Sequence, residues 1–318
     1  MSSYQNMIRS LVDKIWDGQL KYQNTILIGD NSIGKSDVLR ELLRKDKNGG
    51  IYFLDAVNRR FLIERVEFEK KKKDITYNSK ILDTRLDKMY FNVADSFQIF
   101  GTATDGVEVL YPYYGDKVKR IFKEFMKCDF SVEKDIENYA VIDGCKRRLS
   151  NGYQALIRIF FELEYYQDMV VIRKEKDRYI FVIDEINEYL APNNACRFLA
   201  FIKKQYQDMD FVVTTQLADV IVGTRDCNII AILPGAKYEI FDSNDFDNIM
   251  DANMLFVKTF PDQGKKEQKQ LIDQELTRLF NNRISGELDS SDREALLQIK
   301  EKNLTNAQKV LLKQIEEW

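Results

Sequence analysis

Gly29-Asp30-Asn31-Ser32-Ile33-Gly34-Lys35-Ser36 decides how the rest of the chain is read. The octet matches G-x-x-x-x-G-K-[ST], with the apolar run NTILI (24–28) before it and a helical apolar period (Val38, Leu39, Leu42, Leu43) after it. A strand that turns through glycines into a helix is the context in which this motif holds a phosphate. Glycine lets the backbone curl so that successive N–H groups face the anion, and the helix N-terminus adds its positive end. Residues Gly29, Asp30, Asn31, Ser32, Ile33, Gly34 and Asp37 would form the cradle. Lys35 would reach the outer phosphates, and the Ser36 hydroxyl would ligate a magnesium ion.

Working outward, Asn48-Gly49-Gly50 stops the helix and IYFLDAV (51–57) opens a second strand, the beginning of an α/β domain. Much further on, RYIFVIDE (178–185) is an apolar strand that ends in two acids. It is expected to lie beside the phosphate-loop strand and to deliver Asp184 and Glu185 at the carboxyl edge, where ligands collect in open α/β sheets. Asp184 would hold the magnesium ion through water, and Glu185 would polarise an attacking water.

The remaining pattern predicts helices over 3–17 (apolar stripe Met7, Ile8, Leu11, Ile15, Trp16), around KVKRIFKEFMK (117–127), over 152–168 as an amphipathic helix, and over 193–207. Strands are predicted at VEVLYPYYG (107–115), ENYAVIDGCKRRL (137–149), DFVVTTQ (210–216) and NIIAILPG (228–235). The domain reading is 1–250 for the phosphate-binding domain, with 58–135 as a lid or arm inserted in it, and 251–318 as a helical extension. Two capping boxes, Ser291-x-x-Glu294 and Thr305-x-x-Gln308, contribute to a reading of three helices from about residue 263. The stripes Leu296, Leu297, Ile299 and Val310, Leu311, Ile315 are expected to pack on the main domain.

Composition narrows the chemistry. The 318 residues include no histidine, which excludes every imidazole base and every His-ligated metal. Cys128, Cys145, Cys196 and Cys227 form no C-x-x-C pair and read as buried reduced thiols, so metals would be held through oxygen. No apolar run approaches the ~18 residues a membrane span needs, and the N-terminus lacks a secretory leader pattern, giving a cytoplasmic expectation. A net charge of −3 lacks the footprint of a dedicated nucleic-acid binder. Local basic patches remain at Asn58-Arg59-Arg60, Lys70–Lys73 and Lys146-Arg147-Arg148. The acids Asp242, Asp245, Asp247 and Asp251 read as helix caps rather than a nuclease site.

Leu149-Ser150-Asn151-Gly152-Tyr153-Gln154 resembles the L-S-x-G-x-Q signature of the ABC-type ATPases, and it falls between the phosphate loop and the acidic strand as in that family. Taken alone, Ser150 reads as an ordinary helix N-cap. Asp184–Pro192 (DEINEYLAP) is similar to the D-E-x-E-x-x-L-H-P segment of the stand-alone RecF- and OLD-like members, with the acid shifted to Glu188 and the histidine replaced by Ala191. Val213-Thr214-Thr215-Gln216-Leu217 resembles the switch strand that reads T-T-H-S, with Gln216 in the histidine's place, and Gln98 is the candidate Q-loop glutamine that would sense magnesium. The resemblance covers roughly 24–240.

It implies an α/β P-loop NTPase with an ABC-type head, using ATP and Mg2+. It also implies head-to-tail self-assembly, as a dimer or larger, in which Ser150 and Gly152 meet the nucleotide of the second copy. A separate effector protein is implied, in DNA repair or bacterial anti-phage defence, with nucleic acid an optional and membrane an excluded partner. Hydrolysis is expected to be slow, because a glutamine can donate a hydrogen bond but cannot carry a proton. A transporter nucleotide subunit fits less well, since no aromatic adenine-stacking loop is evident and Tyr4 falls on a helix. A full-length SMC protein needs hundreds of heptad residues between Ser36 and Leu149, and they are absent. The alternative of another class is a nucleotide-gated scaffold with little turnover.

Overall fold

Thr25–Ile28 forms a strand, β1, with all four side chains buried, and the phosphate-loop motif leads from it into helix α2, Lys35–Lys45. These elements belong to a computed structural model that describes residues 3–30, 33–46, 50–70, 91, 95, 97, 106–168, 178–259, 272, 275, 276, 279, 280, 283, 290–300, 304 and 306–317. It divides into two compact units, Met1–Ala252 and Asn253–Trp318.

In the first unit β1 is joined by β2 (Ile51–Leu54) and by an antiparallel trio, β3 (Phe130–Lys134), β4 (Asn138–Ile142) and β5 (Cys145–Arg147). The remaining strands are β6 (Ile180–Ile183), β7 (Asp210–Thr214), β8 (Asn228–Leu233) and β9 (Lys237–Asp242). The main sheet runs β2-β6-β7-β1-β8-β9, parallel throughout except for β9. The fold is therefore mixed α/β, a mostly parallel sheet flanked by helices.

Helices on both faces explain why the inner strands read as unbroken apolar runs. On one face, α1 (Ser3–Trp16) and α2 contribute Leu11, Ile15, Leu39 and Leu42, which pack against Leu27, Phe53, Val182, Val212 and Ile230. On the other face Tyr52 and Phe181 stack with ring centroids 4.8 Å apart, and Tyr166 tilts onto both.

Three expectations are corrected here. First, β6 does not lie beside β1, because β7 is inserted between them and pairs with both. Such long-range pairing leaves no trace in local periodicity. Second, VEVLYPYYG is not a strand: Val107–Leu110 is a 3-10 turn that runs into α3, Tyr111–Met126. Pro112 sits in the first turn of that helix, where a missing N–H costs nothing. Third, the helix over 152–168, α4 (Asn151–Tyr166), is not amphipathic, since every residue from Ala155 to Tyr166 is buried.

The polar groups α4 buries are paired, as burial requires. Arg158 donates through Nε to Glu162 at 2.7 Å and through Nη2 to Asp95, while Glu162 also accepts from the Tyr52 hydroxyl at 2.5 Å. Elsewhere Arg178 bonds Asp210 at 2.6 Å and the carbonyls of Ile15, Trp16 and Gln23, fastening the end of α1 to the start of β6 and β7.

Strands β4 and β5 form the hairpin within ENYAVIDGCKRRL, turned by Asp143 (φ 48°) and Gly144 (φ 73°), a primed turn suited to strand twist. The four cysteines are reduced, but Cys145 is exposed and only Cys227 is buried, so the expectation of buried thiols fails for the others. Asp242 does cap a turn, accepting from Asn244 N at 2.9 Å, and it also binds Lys21. Asp247 instead pairs with Arg225. Lys71, Lys72 and Lys73 lie outside the described residues.

Further helices of the first unit are α5 (Pro192–Gln205) and α6 (Ala218–Val222), and the division between units falls within α7 (Ile249–Thr259). In the second unit α9 (Asn306–Glu317) starts directly after Thr305, as its capping box places it, whereas α8 (Ser290–Lys300) already includes Ser291 and starts two residues before its box predicts. Ile299 and Ile315 are buried with Ile272, Leu276, Leu279 and Leu312 in that unit's own core, whereas Leu297 is exposed. Among the described residues no helix is long and apolar enough to cross a membrane.

Candidate nucleotide site

Parallel strands end together, so the sheet's carboxyl edge collects the residues that follow β2, β6, β7 and β1. From β1 comes the phosphate loop. Gly34 adopts φ +117°, a conformation that strains any side chain, and the Tyr4 hydroxyl from α1 lies so close that a Cβ at Gly34 would stand 2.2 Å from it. That hydroxyl donates to Asp37 at 2.7 Å. Gly34 gives α2 no side-chain cap, which leaves the first N–H groups of the helix as donors.

Lys35 is buried, and its ammonium is held by the carbonyls of Gly29 at 2.6 Å and Asp30 at 3.2 Å. Burial lowers its pKa, while the charges of Glu185, Asp184 and Asp30 push it back up. The lysine that opens α2 after β1 and the acids that follow β6 thus sense each other across the intervening β7.

Strand β7 joins the two. The Thr214 hydroxyl donates to Asp184 Oδ1 at 2.6 Å and accepts the Glu185 N–H at 2.7 Å. Glu185 itself sits at φ 50°, in the left-handed region, which costs a non-glycine residue about 1 kcal/mol or more. The Gln216 amide donates to Glu185 Oε1 at 3.1 Å. Burial raises the Glu185 carboxyl above its ordinary value and the Asp184 charge adds to this, while Lys35 and the Gln216 hydrogen bond pull it down.

The signature-like segment also reaches this region. Ser150 caps α4, its hydroxyl accepting from Tyr153 N at 3.2 Å, so the ordinary N-cap reading of that serine is realised in the chain. Gly152 lies against the Tyr189 carbonyl, and a Cβ there would stand 2.8 Å from it. The segment that follows Glu185 is therefore packed on the start of α4.

Of the residues singled out in the sequence, Lys35, Asp184, Glu185 and Gln216 are brought together, and Ser36 lies exposed on the first turn of α2. Asn31, Ser32 and Gln98 lie outside the described residues. Arg59 is corrected: it is 2% exposed and cannot belong to a basic surface patch. Arg147 and Arg148 are exposed beside the signature-like segment. Sequence reasoning missed Thr214 as the link between the acids. Its signals were a hydroxyl directly after the apolar run Phe211–Val213 and its place in the segment that resembles the switch strand.

No family model matches the chain, and no curated protein matches it. Among solved structures it is similar to the SMC head domain from Thermotoga maritima, at 18% identity over 42% of this chain and 49% of that one, with a TM-score of 0.30. The chain thus spans about half of that head's length. It is also similar to an SMC head bound to the C-winged helix domain of ScpA (12% identity, 70% of this chain, 90% of that one, TM-score 0.35). A third likeness is to a putative metal-chelate type ABC transporter in an inward-facing conformation (16%, 71%, 75%, TM-score 0.32).

Proposed function

We propose that the chain binds Mg-ATP and hydrolyses it slowly as an ABC-type ATPase of the RecF/OLD-like kind. Two or more copies would assemble head to tail around the nucleotide and act as a switch for a separate effector protein or a DNA transaction, with anti-phage defence or DNA repair as the setting. The observation that carries the reading is the meeting of Lys35, Asp184 and Glu185 at one sheet edge, next to a helix N-terminus without a side-chain cap.

The donor set fits a hard cation. The Ser36 hydroxyl and the buried Asp184 carboxylate are oxygen ligands of the type magnesium takes, and Thr214 holds one carboxylate oxygen in place. When bound, the ion would neutralise charge on the phosphates. Lys35 would bind the outer phosphates, Glu185 would orient and deprotonate the attacking water, and Ser150 and Gly152 would serve the nucleotide of the second copy. Arg147 and Arg148, exposed beside Ser150, would meet the same partner nucleotide.

Replacing Glu185 with Gln tests this directly. ATP turnover is expected to fall about 100-fold or more, the range for losing a general base, with ATP binding retained. Unchanged turnover in that variant would remove Glu185 from the mechanism. One contact favours the scaffold alternative: Gln216 already occupies an oxygen of Glu185, which slows any base. Biological function that survives Glu185→Gln would decide for the scaffold.

A further inference from the structure

Arg59 is an unusual residue to find inside the first unit. It is 2% exposed, and burial lowers the pKa of its guanidinium. Nη2 donates to the backbone carbonyl of Asp184 at 2.8 Å, whereas the buried Nε and Nη1 have no hydrogen-bond partner among the described residues. The charges of Asp55, Glu162 and Asp184 favour the cation and that of Arg158 opposes it. A desolvated cation with two unpaired donor atoms is costly to keep, and a well-packed apolar side chain at such a place is often as stable. Core stability therefore does not explain this arginine.

The local sequence shows how it arrives there. Strand β2 is followed directly by Asp55, whose Oδ1 accepts from Val57 N at 3.0 Å, Asn58 N at 2.6 Å and Asn58 Nδ2 at 3.0 Å. That Asp turn folds the chain sharply back, so that Arg59 reaches under the end of the neighbouring β6.

The carbonyl it bonds belongs to the peptide linking Asp184 to Glu185. The N–H of the same peptide is bonded to Thr214 on β7. This one peptide unit is thus gripped from both sides, by the loop after β2 and by the end of β7. Glu185, on the far side of that peptide, sits at φ 50°, a strained conformation that an unclamped peptide would relax by rotating.

We propose that Arg59 is a positioning residue that locks the Asp184–Glu185 peptide and so fixes where the Glu185 carboxylate stands. The consequence for turnover rests on the ATPase reading above, but the lock itself does not.

The test therefore measures the lock first. Backbone amide hydrogen exchange is followed residue by residue in the full chain and in Arg59→Met. A hydrogen bond from a charged donor is worth about a tenfold change in a local opening equilibrium, or more, so the Glu185 amide is expected to exchange at least about tenfold faster while Val182, inside β6, keeps its rate. Arg59→Lys keeps the charge without the forked donors and is expected to give a Glu185 rate between the two. It also carries the test if the Met variant does not fold. A Glu185 rate within twofold of wild type in the variants overturns the proposal. Equal acceleration at Val182 also overturns it, because that would mark Arg59 as general support of the fold.

Steady-state ATP turnover then separates the two ideas. With wild type active, kcat is expected to fall about tenfold in Arg59→Met and less in Arg59→Lys, with KM for ATP within about twofold, the pattern of a misplaced catalytic group rather than lost binding. A loss in KM alone would overturn the positioning role. If wild type shows no turnover, the ATPase reading fails, and the exchange rates still judge the lock.

Discussion

Thr214 allows the geometry to be tested against a number. Its hydroxyl is fully buried, donates to the Asp184 carboxylate and accepts the Glu185 N–H. Thr214→Val keeps the shape of the side chain and removes both bonds. A bond to a charged acceptor is worth about 2 kcal/mol, and leaving a buried N–H without an acceptor costs about 2 more. The methyl that replaces the hydroxyl returns about 1 kcal/mol of apolar burial, which leaves a net loss of about 3 kcal/mol. Thr214→Ser does the reverse, keeping both bonds and losing one methyl for about 1 kcal/mol. The assay is urea unfolding followed by Trp16 fluorescence in a Trp318→Phe background. Of the two tryptophans, Trp16 packs against the core of the first unit. For a unit of roughly 250 residues a 3 kcal/mol loss also lowers Tm by about 6–12 °C. If Val proves no more destabilising than Ser, the hydroxyl does not link the two acids and the account of the site is wrong.

Two further substitutions probe neighbouring contacts. Gly152→Ala places a Cβ 2.8 Å from the Tyr189 carbonyl, so the start of α4 must shift. The expected loss is about 1–3 kcal/mol in the same urea assay, and a neutral result would show that α4 is not packed on this turn. Arg178→Ala removes a bond to Asp210 and three to carbonyls at the end of α1 and before β1. With the side chain about one-fifth exposed, the expected cost is about 2–3 kcal/mol, read as a lower urea midpoint with an unchanged slope.

How much of this was legible in the sequence depends on the range of the interactions involved. The phosphate loop and the acidic end of β6 are local patterns, because the chemistry needs those residue types at fixed spacing, and both were readable. The order of strands was not. Nothing in RYIFVIDE or DFVVTTQ says which one neighbours β1, since inner parallel strands all look alike. VEVLYPYYG misled because β-branched and aromatic residues suit a strand, while the decisive fact was a proline tolerated in a helix's first turn. Arg59 misled because a run of charges reports composition and not burial. A usable signal was nevertheless present, since Asp55-x-x-Asn58 after an apolar strand marks a tight turn that carries the next residue inward.

The absence of histidine gains meaning from the contacts of Glu185. No imidazole exists in the chain to shuttle a proton, and the residue that faces the acid from just beyond β7 is Gln216, which neither takes up nor releases one near neutral pH. The Gln216 amide engages Oε1 of Glu185, and on the proposed ATPase reading Oε2 would be the oxygen that meets a water. Three separate elements then hold Glu185: the loop after β2 grips its preceding peptide through Arg59, β7 grips the same peptide through Thr214, and the residues just beyond β7 hold its carboxylate through Gln216. Rigid placement of that kind suits a catalyst that works by position and electrostatics, because such groups need no reorganisation during the reaction. It also gives the site a weakness that can be measured. Movement of β2 relative to β6 disturbs the peptide that carries Glu185, while the phosphate loop follows β1, which is paired to β7 and β8 and not to β2. On the proposed ATPase reading, turnover should therefore respond to a shift of β2 against β6 under conditions in which nucleotide binding does not.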